Sequence, residues 1–265
     1  MAFDDAATRL LVVMPAHNEA ACVADSVRAV RVAVPEAEIL VVDDGSTDDT
    51  KRRAGMAGAK VLVLPFNLGV GGAMRAGFKY AQREGFRVVV QVDADGQHDP
   101  CHIPALLERL DTSSAAAEGP ALALADVVIG ARFSEAGTYI VRGPRRWAMV
   151  LLARTLSRMA KTRLTDTTSG FRAINERAIR LYSRHYPAEY LGDTVESLVI
   201  AVRSGLRIEQ VAVEMRPRQG GAPSQTGISA AAYLIRATFA LSLARIRRWP
   251  DYLGIDDERA PVVRE

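Results

Sequence analysis

A chain of 265 residues that is 49% hydrophobic and 25% charged can bury a real core as one large domain or two small ones, which excludes a disordered or fibrous chain. Its net charge of +3 is mild, and its basic residues are not interleaved with aromatics, so no nucleic-acid partner is expected. Cys22 and Cys101 are far apart and lack a CxxC context, which argues against a disulfide framework or a zinc site and fits a reducing cytoplasm.

In chain order, Leu10 to Met14 reads as a buried strand, followed by the turn Pro15-Ala16-His17-Asn18-Glu19. An Ala-rich helix spans 20–33 and ends before Pro35. Ile39 to Val42 is a second strand, closed by Asp43-Asp44-Gly45-Ser46-Thr47-Asp48. Ser46 or Thr47 can N-cap the helix that starts near Asp48. Val61 to Leu64 is a third strand. Asn67-Leu68-Gly69-Val70-Gly71-Gly72 leads into a helix from about Ala73 to Glu84. The glycines there lack the spacing of a dinucleotide fingerprint. A fourth strand at 88–92 completes the alternation of a parallel sheet with helices on both faces. Further on, the spacing predicts a short helix at 104–110, a flexible insertion at 112–125 and a strand at 126–130. A mobile loop at 134–143 and an arginine-bearing helix at 144–159 follow. Asp166 to Arg172 reads as a polar turn before helices at 176–183 and 194–204, with a strand at 208–215 between the last of these and a basic loop at 216–227. No internal repeat is visible.

The stretch Val88-Val89-Val90-Gln91-Val92-Asp93-Ala94-Asp95-Gly96-Gln97-His98-Asp99 carries the most chemistry. A β-branched run ends in carboxylates at the C-terminal end of a strand, the edge at which open α/β sheets bind ligands. Two residues apart on a regular strand, Asp93 and Asp95 would face one way. Oxygen donors favour Mg²⁺ or Mn²⁺ over zinc. The turn is read as holding a divalent metal that in turn holds a diphosphate. The alternative is a polar turn that binds nothing.

Four motifs at strand ends, Pro15-Ala16-His17-Asn18-Glu19, Asp43-Asp44-Gly45-Ser46, Asn67-Leu68-Gly69 and Asp93-Ala94-Asp95, together resemble family-2 glycosyltransferases of GT-A fold. Asp95-Gly96-Gln97-His98 and Asp166-Thr167-Thr168-Ser169-Gly170-Phe171-Arg172 narrow the resemblance to the branch of dolichol-phosphate mannose synthases and bacterial polyprenyl-phosphate glycosyltransferases. It covers roughly residues 9–220. It implies an α/β, Rossmann-like, mostly parallel sheet, a nucleotide-diphosphate sugar donor linked to UDP or GDP, Mg²⁺ or Mn²⁺, and inversion at the anomeric carbon. Carried over by position, Asp44 would hydrogen-bond the base, with Pro15, His17 and Glu19 shaping the nucleotide pocket. Asn67 is a structural turn residue or a nucleotide-side one. Asp93 would face the ribose or the metal, and Asp95 and Gln97 would ligate the metal. Catalytic residues on this reading are Asp95, Arg132 and Arg172.

Arginines crowd the second half: Arg132, Arg142, Arg145, Arg146, Arg154, Arg158, Arg172, Arg216 and Arg218. Arg154 and Arg158 fit a solvated helix face. Arg132 and Arg172 fall in turns beside the expected site. Guanidinium forks bind phosphate bidentately, and the resemblance points to a polyprenyl phosphate acceptor, with Arg132, Arg145, Arg146 and Arg218 as candidate clamps. An acceptor phosphate oxygen is already ionised at pH 7, so no strong general base is required. Asp166 and Asp193 are the obvious carboxylates for a hydroxyl acceptor, and Asp166 reads rather as the organiser of its turn.

The expected domain limits are a transferase domain over 1–227, a helix over 228–248 and a loose tail over 249–265. From Ser229 to Arg248, Ile235, Phe239, Leu243 and Ile246 share one helical face, with Arg236 and Arg247 flanking it. Such a helix suits a membrane interface or a core-packing role equally. Met1-Ala2-Phe3-Asp4-Asp5 is acidic and has no apolar signal region, and no uncharged run reaches the roughly 18 residues of a span. The expected location is cytoplasmic and peripheral at the inner membrane face, through weak attachment or a separate small membrane-protein partner. Two other functions stay open: a glycosyltransferase acting on a hydroxyl of a cell-wall or soluble glycan, and a non-catalytic nucleotide-sugar-binding module.

Overall fold

The computed structural model describes residues 9–112, 124–132, 153–188 and 193–216. Within them the elements run β1 (Leu10–Ala16), α1 (Val23–Ala33), β2 (Glu38–Asp43), α2 (Thr50–Met56), β3 (Lys60–Val63), α3 (Gly69–Arg83) and β4 (Val88–Gln91). A 3₁₀ turn at Pro100–His102 leads into α4 (Ile103–Leu107) and β5 (Val127–Arg132). The described part of α5 covers 153–160. It is followed by β6 (Arg172–Asn175), α6 (Glu176–His185), α7 (Asp193–Arg203) and β7 (Ile208–Val213).

Seven strands form one sheet in the order β3-β2-β1-β4-β6-β5-β7. Pairing is parallel from β3 to β4 and between β5 and β7, while β6 runs antiparallel to both neighbours. The central strands β1, β2 and β4 are buried along nearly their whole length because both faces are covered. Leu11, Val13, Leu40 and Val89 join Phe78, Tyr182 and Val199 in one core layer. Their alternates Val12, Met14, Val41 and Val90 join Val27, Val30 and Leu106 in the other.

The mostly parallel α/β sheet agrees with the sequence reading, and three local features correct it. Arg172 opens a strand rather than closing a turn. Four residues including Arg and Asn carry too little alternation to read as β, yet Arg172 pairs with Gln91 on one side and Ile129 on the other. Helix α3 starts at Gly69, earlier than the glycine run suggests. An added Cβ on Gly77 would lie 2.6 Å from Val13 Cγ1, so a glycine here permits close helix–sheet packing. Finally, α2 starts at Thr50 behind Asp49 and not at a Ser46 or Thr47 cap.

Arg154 and Arg158 are exposed, as the solvated-face reading expects. Arg142, Arg145, Arg146 and Arg218, the helix at 228–248, the tail and the domain limit at 227 lie outside the described residues. Among the described residues no helix is long and apolar enough to cross a membrane.

Strand direction is what gathers the polar motifs. Parallel β1, β2, β4 and β5 bring their C-terminal ends to one sheet edge, and antiparallel β6 begins at that edge. The chain leaves β1 toward β2 on one side and returns through α3 to β4 on the other. That reversal of strand order opens the crevice in which α/β sheets take ligands.

Candidate active site

The turns after β1 and β2 are knitted together. Asn18, at φ 56°, takes a left-handed conformation that asparagine tolerates better than most residues. Its N–H donates to Ser46 Oγ at 2.9 Å, and its Oδ1 accepts from the Thr47 N–H at 2.8 Å. Ser46 and Thr47 are thus turned toward the first loop, which is why they do not cap α2. A carbonyl can only accept, so His17 Nδ1 carries a proton and donates to Asp44 O at 2.8 Å. Its Nε2 then accepts from Asn18 Nδ2 at 3.2 Å. Both ring nitrogens of the exposed His17 are thus engaged within the turn. Pro15 is buried within β1 and Glu19 is half-buried at the start of the turn.

Asp44 is buried, with Oδ1 accepting the Leu68 N–H at 2.7 Å. Burial raises its pKa above the ordinary carboxylate value, while the N–H groups of Leu68 and Gly69 and the neighbouring His17 pull it down. Asn67 Oδ1 accepts the Gly69 N–H at 2.9 Å and so shapes the entry to α3. Gly45 is required here: its φ is 68°, and a Cβ would lie 2.8 Å from the Phe66 carbonyl carbon.

After β4 the structure departs from the regular strand expected for Asp93 and Asp95. The last ladder bond runs from Val92 N to Val13 O. The next N–H, that of Asp93, donates to His98 Nδ1 at 2.9 Å instead of to the sheet. The chain then turns through Gly96 at φ 78°. Asp95 is buried and its Oδ1 accepts the Gln97 N–H at 3.0 Å, whereas 38% of the Asp93 side chain is exposed. Behind the turn, Ser26 Oγ donates to Ala94 O at 2.9 Å. On its other side, Arg216 N donates to Gln97 O at 2.9 Å, and the Arg216 guanidinium pairs with Asp99 at 2.8 Å. Asp93, Asp95 and Gln97 therefore sit in one braced turn with an oxygen-only donor set that suits a hard divalent cation. Among the described residues no group of three or more His, Cys, Asp or Glu side chains is gathered for a metal, so Gln97 is needed to extend the set.

The loop before β6 closes over this turn. A Cβ on Gly170 would lie 3.4 Å from both Asp93 carboxylate oxygens and 2.9 Å from Gln91 Nε2, so glycine lets the loop approach. Asp166 organises the loop by accepting from Thr168 N and Oγ1 at 3.1 and 2.9 Å. Arg132, at the end of β5 and half-exposed, brings Nε to 3.3 Å from Asp166 Oδ2.

Arg172 does not share that position: it lies beneath the edge and not in a turn beside it. It is 1% exposed. Its Nε donates to Ser169 O at 2.9 Å, and its terminal nitrogens donate to Ser197 Oγ at 2.8 Å and Thr194 O at 3.0 Å. The guanidinium braces the loop against α7 from inside. Full burial pushes the neighbouring Tyr182 hydroxyl up to about 12, with the Arg172 charge pulling the other way.

The structure thus brings His17, Asp44, Asn67, Asp93, Asp95, Gln97 and Arg132 to one edge and sends Arg172 beneath it. Ser26, Gln91, His98, Gln210 and Arg216 support this edge, roles that the sequence reading does not assign them. Gln210 Nε2 donates to Asp166 O at 2.7 Å, yet nothing in a strand glutamine announces such a bond. His98, by contrast, lies inside the Asp95-Gly96-Gln97-His98 motif.

The family model described as "Glycosyl transferase family 2" matches residues 11–183. This chain belongs to glycosyltransferase family 2. It is an enzyme of that class with a GT-A fold. Over 227 residues the transferase is 33% identical to an undecaprenyl-phosphate mannosyltransferase of Micrococcus luteus, covering 83% of this chain and 88% of that one. It is 29% identical over 232 residues to a polyprenol monophosphomannose synthase of Mycolicibacterium smegmatis, covering 83% and 82%. Among solved structures it resembles glucosyl-3-phosphoglycerate synthase from Mycobacterium tuberculosis, crystallised with Mn²⁺, UDP and phosphoglyceric acid. The TM-score is 0.64 at 24% identity, covering 96% of this chain and 81% of that one, a likeness of fold.

Proposed function

We propose that this glycosyltransferase moves a sugar from a nucleotide-diphosphate sugar to a polyprenyl phosphate, with inversion, at the membrane surface. The observation that carries the reading is the similarity, over more than four-fifths of each chain, to two enzymes named for polyprenyl phosphate and mannose. The site chemistry supports it. Asp44, Pro15, His17 and Glu19 would frame the nucleotide. Asp93, Asp95 and Gln97 would hold Mg²⁺ or Mn²⁺ against the diphosphate. A cation there supplies Lewis-acid stabilisation of the charge that builds on the leaving group.

The acceptor half asks for less chemistry. A phosphate monoester oxygen needs no base to become a nucleophile at neutral pH, which fits an Asp166 committed to its own loop. Arg132 would hold the acceptor phosphate by exchanging its contact with Asp166 for one with phosphate. Arg145, Arg146 and Arg218 remain candidates for the same phosphate. Direct attack from the face opposite the leaving group inverts the anomeric centre, and the rate then comes from positioning and charge stabilisation.

The test is incubation of the purified protein with lipid extract of its host, Mg²⁺ or Mn²⁺, and a panel of labelled UDP- and GDP-sugars. One donor should give a chloroform-extractable, mild-acid-labile product. A water-soluble labelled glycan would move the reading to a hydroxyl acceptor. No nucleoside diphosphate release with any donor would leave only sugar-nucleotide binding.

A further inference from the structure

We infer that His98 is a positioning residue that sets the orientation of the Asp93 carboxylate for the divalent cation. This rests on the metal reading of the Asp93–Gln97 turn. Four observations converge on the ring. Its side chain is 5% exposed. It lies nearly parallel to the Phe171 ring, with centroids 5.1 Å apart and planes at 17°. Its Nδ1 accepts the Asp93 N–H at 2.9 Å, so in the neutral ring the proton sits on Nε2. That Nε2 stands 3.6 Å from Asp93 Oδ2, too far for a hydrogen bond but close enough for its N–H dipole to act on the carboxylate.

The ring therefore holds both ends of one residue. It fixes the Asp93 backbone where the strand stops and turns a positive dipole toward the Asp93 side chain. The opposite carboxylate oxygen accepts from Gln91 Nε2 at 3.3 Å, and Gly170 lies against both oxygens. Phe171 is itself pinned: its ring sits 2.7 Å from where a Cβ on Gly130 would be. An imidazole steering a ligating carboxylate belongs to the outer-shell contacts that tune metal affinity about 10- to 100-fold.

Two substitutions separate the ring's two nitrogens. His98→Asn keeps an acceptor near Nδ1 for the Asp93 N–H and removes the Nε2 donor. His98→Gln places an amide nitrogen near Nε2. Mn²⁺ titrations followed by electron paramagnetic resonance, in the presence of UDP and separately of GDP, should show binding about 10- to 100-fold weaker for His98→Asn. His98→Gln should recover part of it. Melting temperature without metal reports the fold independently, and Phe171→Leu, which loosens the stack, should also weaken Mn²⁺ binding should His98→Asn not fold. Unchanged Mn²⁺ affinity in folded His98→Asn would overturn the role of His98. A native protein that binds no Mn²⁺ with either nucleotide would overturn the metal reading beneath it.

Discussion

Arg132 and Arg172 stand on neighbouring strands, carry the same side chain and have opposite fates. Arg132 ends a parallel strand, so its guanidinium emerges at the ligand edge, half-exposed and loosely paired with Asp166. Arg172 begins an antiparallel strand, and its guanidinium turns inward onto three carbonyls and a hydroxyl. The contrast extends to the two halves of the sheet. On β1, β2 and β4 the polar motifs leave a parallel strand directly, so the register itself delivers them to the edge. Around β5 and β6 the delivery depends on loop packing: Gly170 against Asp93, and Gln210 clamping Asp166. On the proposed function, the donor side is thus set by strand order, while the acceptor side has to be assembled by loop packing.

The largest effect is expected on the donor side. Asp95→Ala should lower transfer by about 10²–10³-fold or more, the scale of losing a main electrostatic stabiliser, with circular dichroism unchanged. Retained turnover would remove Asp95 from the metal site. Next comes Arg172→Met, which strips buried acceptors of their donor. It should destabilise the protein by about 3 kcal/mol, read as a lower denaturant midpoint. A fully stable Arg172→Met protein with abolished turnover would give Arg172 a direct part in transfer and erase the contrast with Arg132.

Arg132→Ala should do the reverse. Its surface pairing with Asp166 contributes little to stability, so the midpoint should stay within about 0.5 kcal/mol of native. The acceptor KM should rise about 10-fold, as for one lost charge-assisted contact of about 1.4 kcal/mol, with donor binding unaffected. Weaker donor binding would place Arg132 on the other side of the site.

The smallest effect concerns Asp44. A carboxyl whose folded pKa is raised by burial favours the folded state below the unfolded pKa near 4 and loses that advantage as pH rises through the folded value. Asp44→Asn removes the charge, so its stability relative to native should increase between pH 4 and pH 7. A difference independent of pH would mean that burial does not govern this carboxyl.

Much of the donor half was legible in the sequence. The runs Leu10–Met14, Ile39–Val42 and Val88–Val90 are short, apolar and rich in β-branched residues, the pattern of strands buried on both faces, and the motifs follow them closely. What escaped depended on partners distant in sequence. Four residues from Arg172 to Asn175 become a strand only because Gln91 and Ile129 lie on either side. Ser46 and Thr47 fit a helix cap on local grounds, yet Asn18 claims both. Asp93 and Asp95 lie past the end of β4 rather than on a regular strand, and His98 takes the Asp93 N–H that the ladder would have used next. In each case the local pattern was sound and a contact across the fold outweighed it.

The central claim is that the acceptor arrives already ionised, so that the site needs a phosphate clamp and no base. The most direct test offers the purified protein two acceptors that differ in that group alone: a polyprenyl phosphate and the corresponding polyprenol. Each is given the active sugar nucleotide and Mn²⁺, with products measured by mass. Sugar should appear on the phosphate and not on the alcohol. Equal transfer to the alcohol, or transfer only to a water-soluble glycan, would contradict the account.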